Sequence, residues 1–422
     1  PWIRTHNLAP RSRVDLKRTY ASYRNSAWAG GTEPAGAGRG FGSQVDVAAL
    51  FIERSIDLLR PDGMCGLIVP SKLWRSLAGG GVRDFLTTHA SIRELHDLSE
   101  APLMFDAAVY PSILVAGHST KGTGMRVRST SLVVHRDDRA SRWCAEATNL
   151  RLNNSAGSPW LLLPSEARGA FDRVVDAGTP FFRTTFGRPL LGVKTGCNDA
   201  FIVKNGQANI ESDLLRPLLR GDRVSQWKVN PGDARIIWTH DDHGQPLSAL
   251  PPLAATFLRK RRLDLARRSD AAGHHTWWML FRTESANSSL PRVVWSDIGR
   301  RPRAAVLKAG DRTVALNSCY VARCPTLLDA YALAALLNSV LAAAWLSVIA
   351  EPARGNYRRY LGWTMSILPL PRAWTRARSI LAPIGVSAAG GEEPSPEELL
   401  EATLDAYELR RAEVAPLLAW AE

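Results

Sequence analysis

The chain has 422 residues, 45% of them hydrophobic and 22% charged, which excludes wholesale disorder and leaves room for two or three domains. Its net charge of +13 points to polyanionic partners, nucleic acid first, because phosphate neutralisation drives much of nucleic-acid binding. The cysteines Cys65, Cys144, Cys197, Cys319 and Cys324 are scattered and form no CxxC, which argues against a disulfide framework or a metal site and fits a reduced, cytoplasmic protein.

Pro1-Trp2-Ile3 opens a polar, basic stretch unlike a signal peptide. Residues 29–43 are rich in Gly and Ala; Gly36, Gly38, Gly40 and Gly42 alternate, but the strand that a dinucleotide fingerprint requires does not precede them, so a flexible loop is expected. Apolar Val45, Ala48, Ala49, Ile52, Ile56 and Leu59 follow helical spacing. Pro61-Asp62-Gly63 reads as a turn, 64–69 as a strand, 82–89 as a helix, and 92–98 and 110–116 as strands. Residues 125–165 read as a connecting region of short strands. A second module then alternates Trp-, Arg- and Pro-bearing segments with short strands such as 235–239 and 292–296, and its clearest helix spans 331–349. The most apolar stretch, 327–350, contains Asp329 and Asn338 and reads as buried core, so no membrane partner is expected. Beyond Pro371 a loop is expected, followed by an amphipathic helix over 396–419, capped by Ser395 with Glu397 and Glu398 in its first turn.

The ordered segments Asp46-Val47-Ala48-Ala49-Leu50-Phe51-Ile52-Glu53-Arg54, Leu58-Leu59-Arg60-Pro61-Asp62-Gly63 and Gly66-Leu67-Ile68-Val69-Pro70-Ser71-Lys72 resemble the stretch that follows the catalytic motif in Eco57I-like and TaqI-like adenine-specific (N6) DNA methyltransferases. That motif is Asn/Asp/Ser-Pro-Pro-aromatic, of which only Pro1 and Trp2 are present; Asp62 stands where the family commonly has Gly. The resemblance implies an α/β chain, the second half of a Rossmann-like methyltransferase fold followed by an α+β target-recognition domain and a C-terminal helix. It implies a partial catalytic domain over 1–165 that starts inside the motif, a recognition domain over 179–372, and a linker and helix over 373–422. The expected reaction is methyl transfer from S-adenosylmethionine to a flipped adenine, with the cofactor-binding half absent and the isolated chain inactive.

Residue by residue, the resemblance makes Trp2 a stacking face for the flipped base and Pro1 a shaper of the catalytic loop next to the cofactor. Phe51 matches a position beside the cofactor's adenine; in a generic helix–turn–strand it is a core residue. Phe105, in Met104-Phe105-Asp106-Ala107-Ala108-Val109-Tyr110-Pro111, matches the opposite stacking face, and otherwise reads as a buried Phe at a strand edge. The second module resembles the family's target-recognition region through Val193-Lys194-Thr195-Gly196-Cys197-Asn198-Asp199-Ala200-Phe201, Leu215-Arg216-Pro217-Leu218-Leu219-Arg220-Gly221-Asp222, Ala315-Leu316-Asn317-Ser318-Cys319-Tyr320, Ala335-Leu336-Leu337-Asn338-Ser339 and Gly355-Asn356-Tyr357-Arg358. Lys194, Thr195, Asn198, Arg220, Asn356 and Arg358 are therefore candidate DNA contacts. Arg259-Lys260-Arg261-Arg262, with Arg267 and Arg268, forms the densest basic run; phosphate contact and a solvated helix face both fit it. Trp277-Trp278 fits either a DNA-lining or a core role. The expected partners are double-stranded DNA and the missing N-terminal methyltransferase half or a nuclease. The rival reading is a non-catalytic specificity subunit that docks to a separate methyltransferase.

Overall fold

The computed structural model describes residues 5–35, 44–99, 110–118, 131–136, 141–147, 149–271, 276–353, 355 and 357–421. The chain forms two compact units, the first built from Pro1–Arg173, Ala344–Arg359 and Val414–Glu422, the second from Val174–Ala343 and Tyr360–Glu413.

The first unit begins with helices α1 (Pro10–Thr19) and α2 (Ala21–Arg24). The buried Glu53 carboxylate accepts the Ala21 and Ser22 N–H groups, each at 2.8 Å, and so closes the start of α2. Asp46 caps α3 (Val47–Asp57) by accepting the Ala48 N–H at 3.1 Å, and Ala48, Ala49, Ile52 and Ile56 form its buried face. The expected turn follows. Asp62 takes a left-handed conformation with φ 60°, which Asp tolerates at little cost, so the departure from Gly is accommodated locally.

β1 (Met64–Pro70), α4 (Lys72–Arg75), α5 (Gly80–His89), β2 (Ala90–Asp97), β3 (Pro111–His118), β4 (Ser131–Arg136) and β5 (Ser141–Glu146) complete a five-stranded sheet of order β1-β3-β2-β4-β5. β3 runs antiparallel to both β1 and β2, so those two are parallel to one another, joined by the crossover helix α5. β1 is an edge strand. Met64 and Ile68 are 53% and 59% exposed on it, while Val69 is buried. Behind the sheet, Trp74 stacks on Trp160 with centroids 5.2 Å apart, and its indole N–H donates to Ser112 Oγ at 2.8 Å. The buried Arg83 guanidinium donates to the carbonyls of Leu73, Ser76, Gly157 and Ser158 at 2.6–3.0 Å; burial pulls its pKa down to about 9. The sequence assigns no element to α6 (Ser165–Asp176), whose Ala167, Ala170, Phe171 and Val174 are buried at helical spacing.

The second unit is built from short strands. One sheet orders β12 (Val314–Ala315), β8 (Leu215–Leu219), β9 (Ala234–Ile237) and β7 (Ile202–Lys204); another orders β11 (Ala304–Leu307), β10 (Arg292–Ser296), β13 (Cys319–Arg323) and β6 (Leu190–Leu191). Helices α7 (Asn198–Phe201), α8 (Pro252–Arg259) and α9 (Arg262–Ala266) lie between them in sequence.

Three helical expectations change. The helix expected over 331–349 is two, α10 (Leu327–Asn338) and α11 (Val340–Ile349), because Ser339 is extended and its hydroxyl accepts the Ala342 N–H at 3.1 Å as a new cap. The expected loop after Pro371 is instead helix α12 (Trp374–Gly390), running through Pro383. Its small residues allow it to lie against α10, with Gly385 so close that an added Cβ would sit 2.4 Å from the Tyr331 carbonyl oxygen. The single C-terminal helix is two, α13 (Pro396–Tyr407) and α14 (Arg411–Ala421), separated where Glu408 turns left-handed. Ser395 caps α13 in a full capping box with Glu398. α10 is buried almost throughout, and no single described helix is long and apolar enough to cross a membrane. Asp329 within it accepts from Thr326 Oγ1 at 2.6 Å and Trp374 Nε1 at 2.9 Å; burial pushes its carboxyl up, but these bonds and nearby Arg378 hold it below its ordinary value.

Candidate nucleic-acid interface

In the first unit several chain segments converge where β1 and β2 end. The Thr5 N–H and hydroxyl both donate to the Val45 carbonyl, at 2.8 and 3.0 Å. The next residue, Asp46, pairs with Lys72 at 2.6 Å, just beyond β1. Ser71 N–H donates to the Tyr110 carbonyl at 2.8 Å, and the buried Arg75–Asp97 pair, 2.8 Å apart, joins α4 to the end of β2. Open α/β sheets bind ligands beyond the carboxyl ends of their parallel strands. Pro1, Trp2 and Phe105 lie outside the described residues. Phe51 is 59% exposed, so it is not the core residue of a generic helix–turn–strand. Hairpin β14 (Glu351–Ala353) and β15 (Tyr357–Arg359) packs beside α4; Arg358 is half-buried on it, and Asn356 lies outside the described residues.

In the second unit the motif segments at 193–201, 215–222 and 315–320 come together. Val193 bridges Leu316, β12 runs parallel to the end of β8, and Gly221 N–H donates to Ser318 Oγ at 3.0 Å. Glycine is required at 221, where a Cβ would lie 2.4 Å from the Ser318 carbonyl oxygen. The Thr-Gly-x-Asn-x-Ala-Phe turn wraps one cation. Arg268 is buried, donates to the Thr195 carbonyl and to Trp277 O, and sits over the rings of Phe201 and Phe281 at 5.3 and 5.0 Å. Gly196, at φ +67°, lies against its stem, and burial lowers its pKa. Buried Thr195 donates to Asn198 Oδ1 at 2.6 Å; Asn198 is exposed at the start of α7. Lys194 is held by Asp270, whose carboxyl that bond pulls down. Asn338 grips the Ala304 N–H and C=O at 2.8 and 2.9 Å, a structural task.

Arg220 is exposed and lines a 540 Å³ cavity together with Lys204, Arg223, Asp199, Asp222 and Phe257. Lys204 and Arg223 are isolated in sequence and carry no signal there. Phe257 belongs to α8, whose start is capped by Glu211; burial raises that carboxyl, but backbone N–H bonds outweigh it and hold it low. Arg259, Lys260, Arg261 and Arg262 are all exposed. They do not spread around one helix, since α8 ends at Arg259 and α9 starts at Arg262, so they cluster at a helix break. Arg262 lies over Trp277 at 5.8 Å, and Trp277 and Trp278 are half-buried against the core.

Residues 33–105 match the model of the Eco57I restriction-modification methylase family. Over that segment the chain is similar to those methylases. The matched segment takes in α3, β1, α5 and β2 and reaches Phe105. The Type II methyltransferase M.PaeR7I of Pseudomonas aeruginosa is 23% identical over 353 residues, which cover 78% of this chain and 59% of that protein. M.BstVI of Geobacillus stearothermophilus is 24% identical over 217 residues, 46% of this chain and 36% of that protein. The chain thus spans less than two thirds of these relatives' length. Among solved structures, the Type IIL restriction-modification enzyme MmeI, determined in complex with DNA, superimposes over 99% of this chain and 55% of its own with a TM-score of 0.58 and 12% identity, a likeness of fold.

Proposed function

We propose that this chain is the second half of a site-specific adenine-N6 DNA methyltransferase of a restriction-modification or phage-defence system. The observation that carries the reading is that the methylase match falls on α3, β1, α5 and β2, whose sheet then takes antiparallel β3 between two parallel strands. The reading assigns 1–165 to catalysis, 179–372 to target recognition and 373–422 to a C-terminal extension. It leaves the cofactor-binding half to a segment outside this chain, which the exposed apolar edge at Met64 and Ile68 supports.

The exocyclic amine of adenine is a weak nucleophile, because its lone pair is delocalised into the ring. The base leaves the duplex before reaction. Trp2 and Phe105 then offer two stacking faces, each contributing roughly 1–3 kcal/mol, and Pro1 shapes the loop between base and cofactor. S-adenosylmethionine supplies an electrophilic methyl group when bound. Phe51 fits that cofactor, because its open ring on α3 offers an apolar surface to a purine.

In this reading Arg220, Arg259, Lys260, Arg261 and Arg262, with Arg358, reach DNA, while Thr195 and Asn198 hold the turn that presents Lys194. Phosphate contacts set affinity and its salt dependence. Replacing Arg259, Lys260, Arg261 and Arg262 with Ala weakens binding to all duplexes and flattens the plot of log K against log salt by about 0.9 per lost contact. A duplex titration at several salt concentrations measures this; an unchanged slope makes the run a solvated surface.

A further inference from the structure

α1 is a helix without a core. It buries none of its ten residues. Half-buried Leu16 turns toward the unit, and on the opposite side Arg11, Val14 and Arg18 follow one another at i, i+3 and i+7, with Lys17 beside them. Arg11, Lys17 and Arg18 are exposed, and with Arg13 they face one acid within the helix, Asp15. None of the four cations makes a side-chain hydrogen bond or ion pair with any described residue. Elsewhere in the same unit Lys72, Arg75, Arg83 and Arg168 are all engaged with acids or carbonyls.

An isolated helix of this length is marginal in water, and the like-charged Arg13 and Lys17 at i, i+4 weaken it further. A polyanion along the exposed face would remove that repulsion. The face from Arg11 to Arg18 is about 10 Å long, roughly three phosphate steps at about 3.4 Å of rise per step along one strand. Its position fits too. Thr5 is tied to Val45 at the end of the sheet, and five residues of chain carry it to Pro10, a reach of at most about 17 Å. We infer that α1 is a DNA-backbone contact on the catalytic unit, made by Arg11, Lys17 and Arg18 to phosphates near the reacting base. This rests on reading the chain as half of a DNA methyltransferase, and adds to it a contact surface outside the recognition module.

The test titrates the full chain, an Arg11→Gln, Lys17→Gln, Arg18→Gln variant and the Arg259–Arg262 alanine variant with a labelled duplex over a range of salt. The helix variant is expected to bind about tenfold more weakly or worse, with the salt slope reduced by up to about 2.7, at about 0.9 for each of three contacts. Its melting temperature stays that of the parent, since no substituted side chain is buried. Parent-like affinity and slope overturn the inference. If only the alanine variant loses affinity, the recognition reading stands and α1 falls; if only the helix variant does, the reverse holds. A parent that binds no duplex overturns both. Phosphatidylserine vesicles form the last arm: vesicle binding lost in the helix variant while duplex binding is retained replaces DNA with an anionic membrane surface.

Discussion

Arg268 and Lys194 show how far a residue's type determines its use. Both belong to segments for which DNA contact is one reading; Arg268 is enclosed by Thr195, Phe201 and Phe281, and Lys194 is paired with Asp270. The motif was visible in the sequence because its spacing is local. Its occupant was not, because Arg268 arrives from seventy-three residues away. Buried ionisable groups in this unit also make its stability depend on pH. Burial pulls the His240 imidazole from 6.5 down to about 4, so the folded protein keeps it neutral. Below pH 6.5 the unfolded chain takes up a proton that the folded chain refuses, and stability falls as pH drops toward 4. At pH 4.5 the loss from this group is roughly 2–3 kcal/mol. Denaturant unfolding of parent and His240→Gln at pH 7 and 4.5 checks it. The variant loses less on acidification; equal losses in both contradict the assignment.

Elements were legible where their signals were local. The Pro61-Asp62-Gly63 turn and the strand from Met64 declare themselves in a few residues, as does the Ser395 cap. Ser395→Ala removes the bond to the Glu398 N–H and costs about 1 kcal/mol. The shift in urea midpoint measures it, and a midpoint within error of the parent shows that the cap is redundant. α12 was not legible. Its Pro383 and its run of Ala and Gly read as loop, and the helix is packed against α10 and α13. The break at Ser339 was hidden for a related reason: the apolar pattern continues across it, and only the serine's own hydrogen bonds end one helix and cap the next.

At the scale of the whole molecule, the methylase match over residues 33–105 takes in strands β1 and β2 of the sheet ordered β1-β3-β2-β4-β5. Apolar side chains stay exposed at the β1 edge, at Met64 and Ile68, and at Phe51 on α3. The motifs of the second unit were legible because their spacing is local, and the fold joins them through Gly221 and Ser318 and through Val193 and Leu316. Which of its cations face outward was not, since that depends on partners such as Asp270. The central claim is methyl transfer to adenine N6, and nucleoside analysis of duplex DNA tests it most directly. The chain is joined to the cofactor-binding half of a Type II methyltransferase relative, incubated with S-adenosylmethionine and duplex, and the DNA is digested and its nucleosides separated by mass. The account predicts N6-methyladenine from the joined protein and no methylated nucleoside from this chain alone. Methylated cytosine in place of methylated adenine, or methylation by the isolated chain, would contradict it.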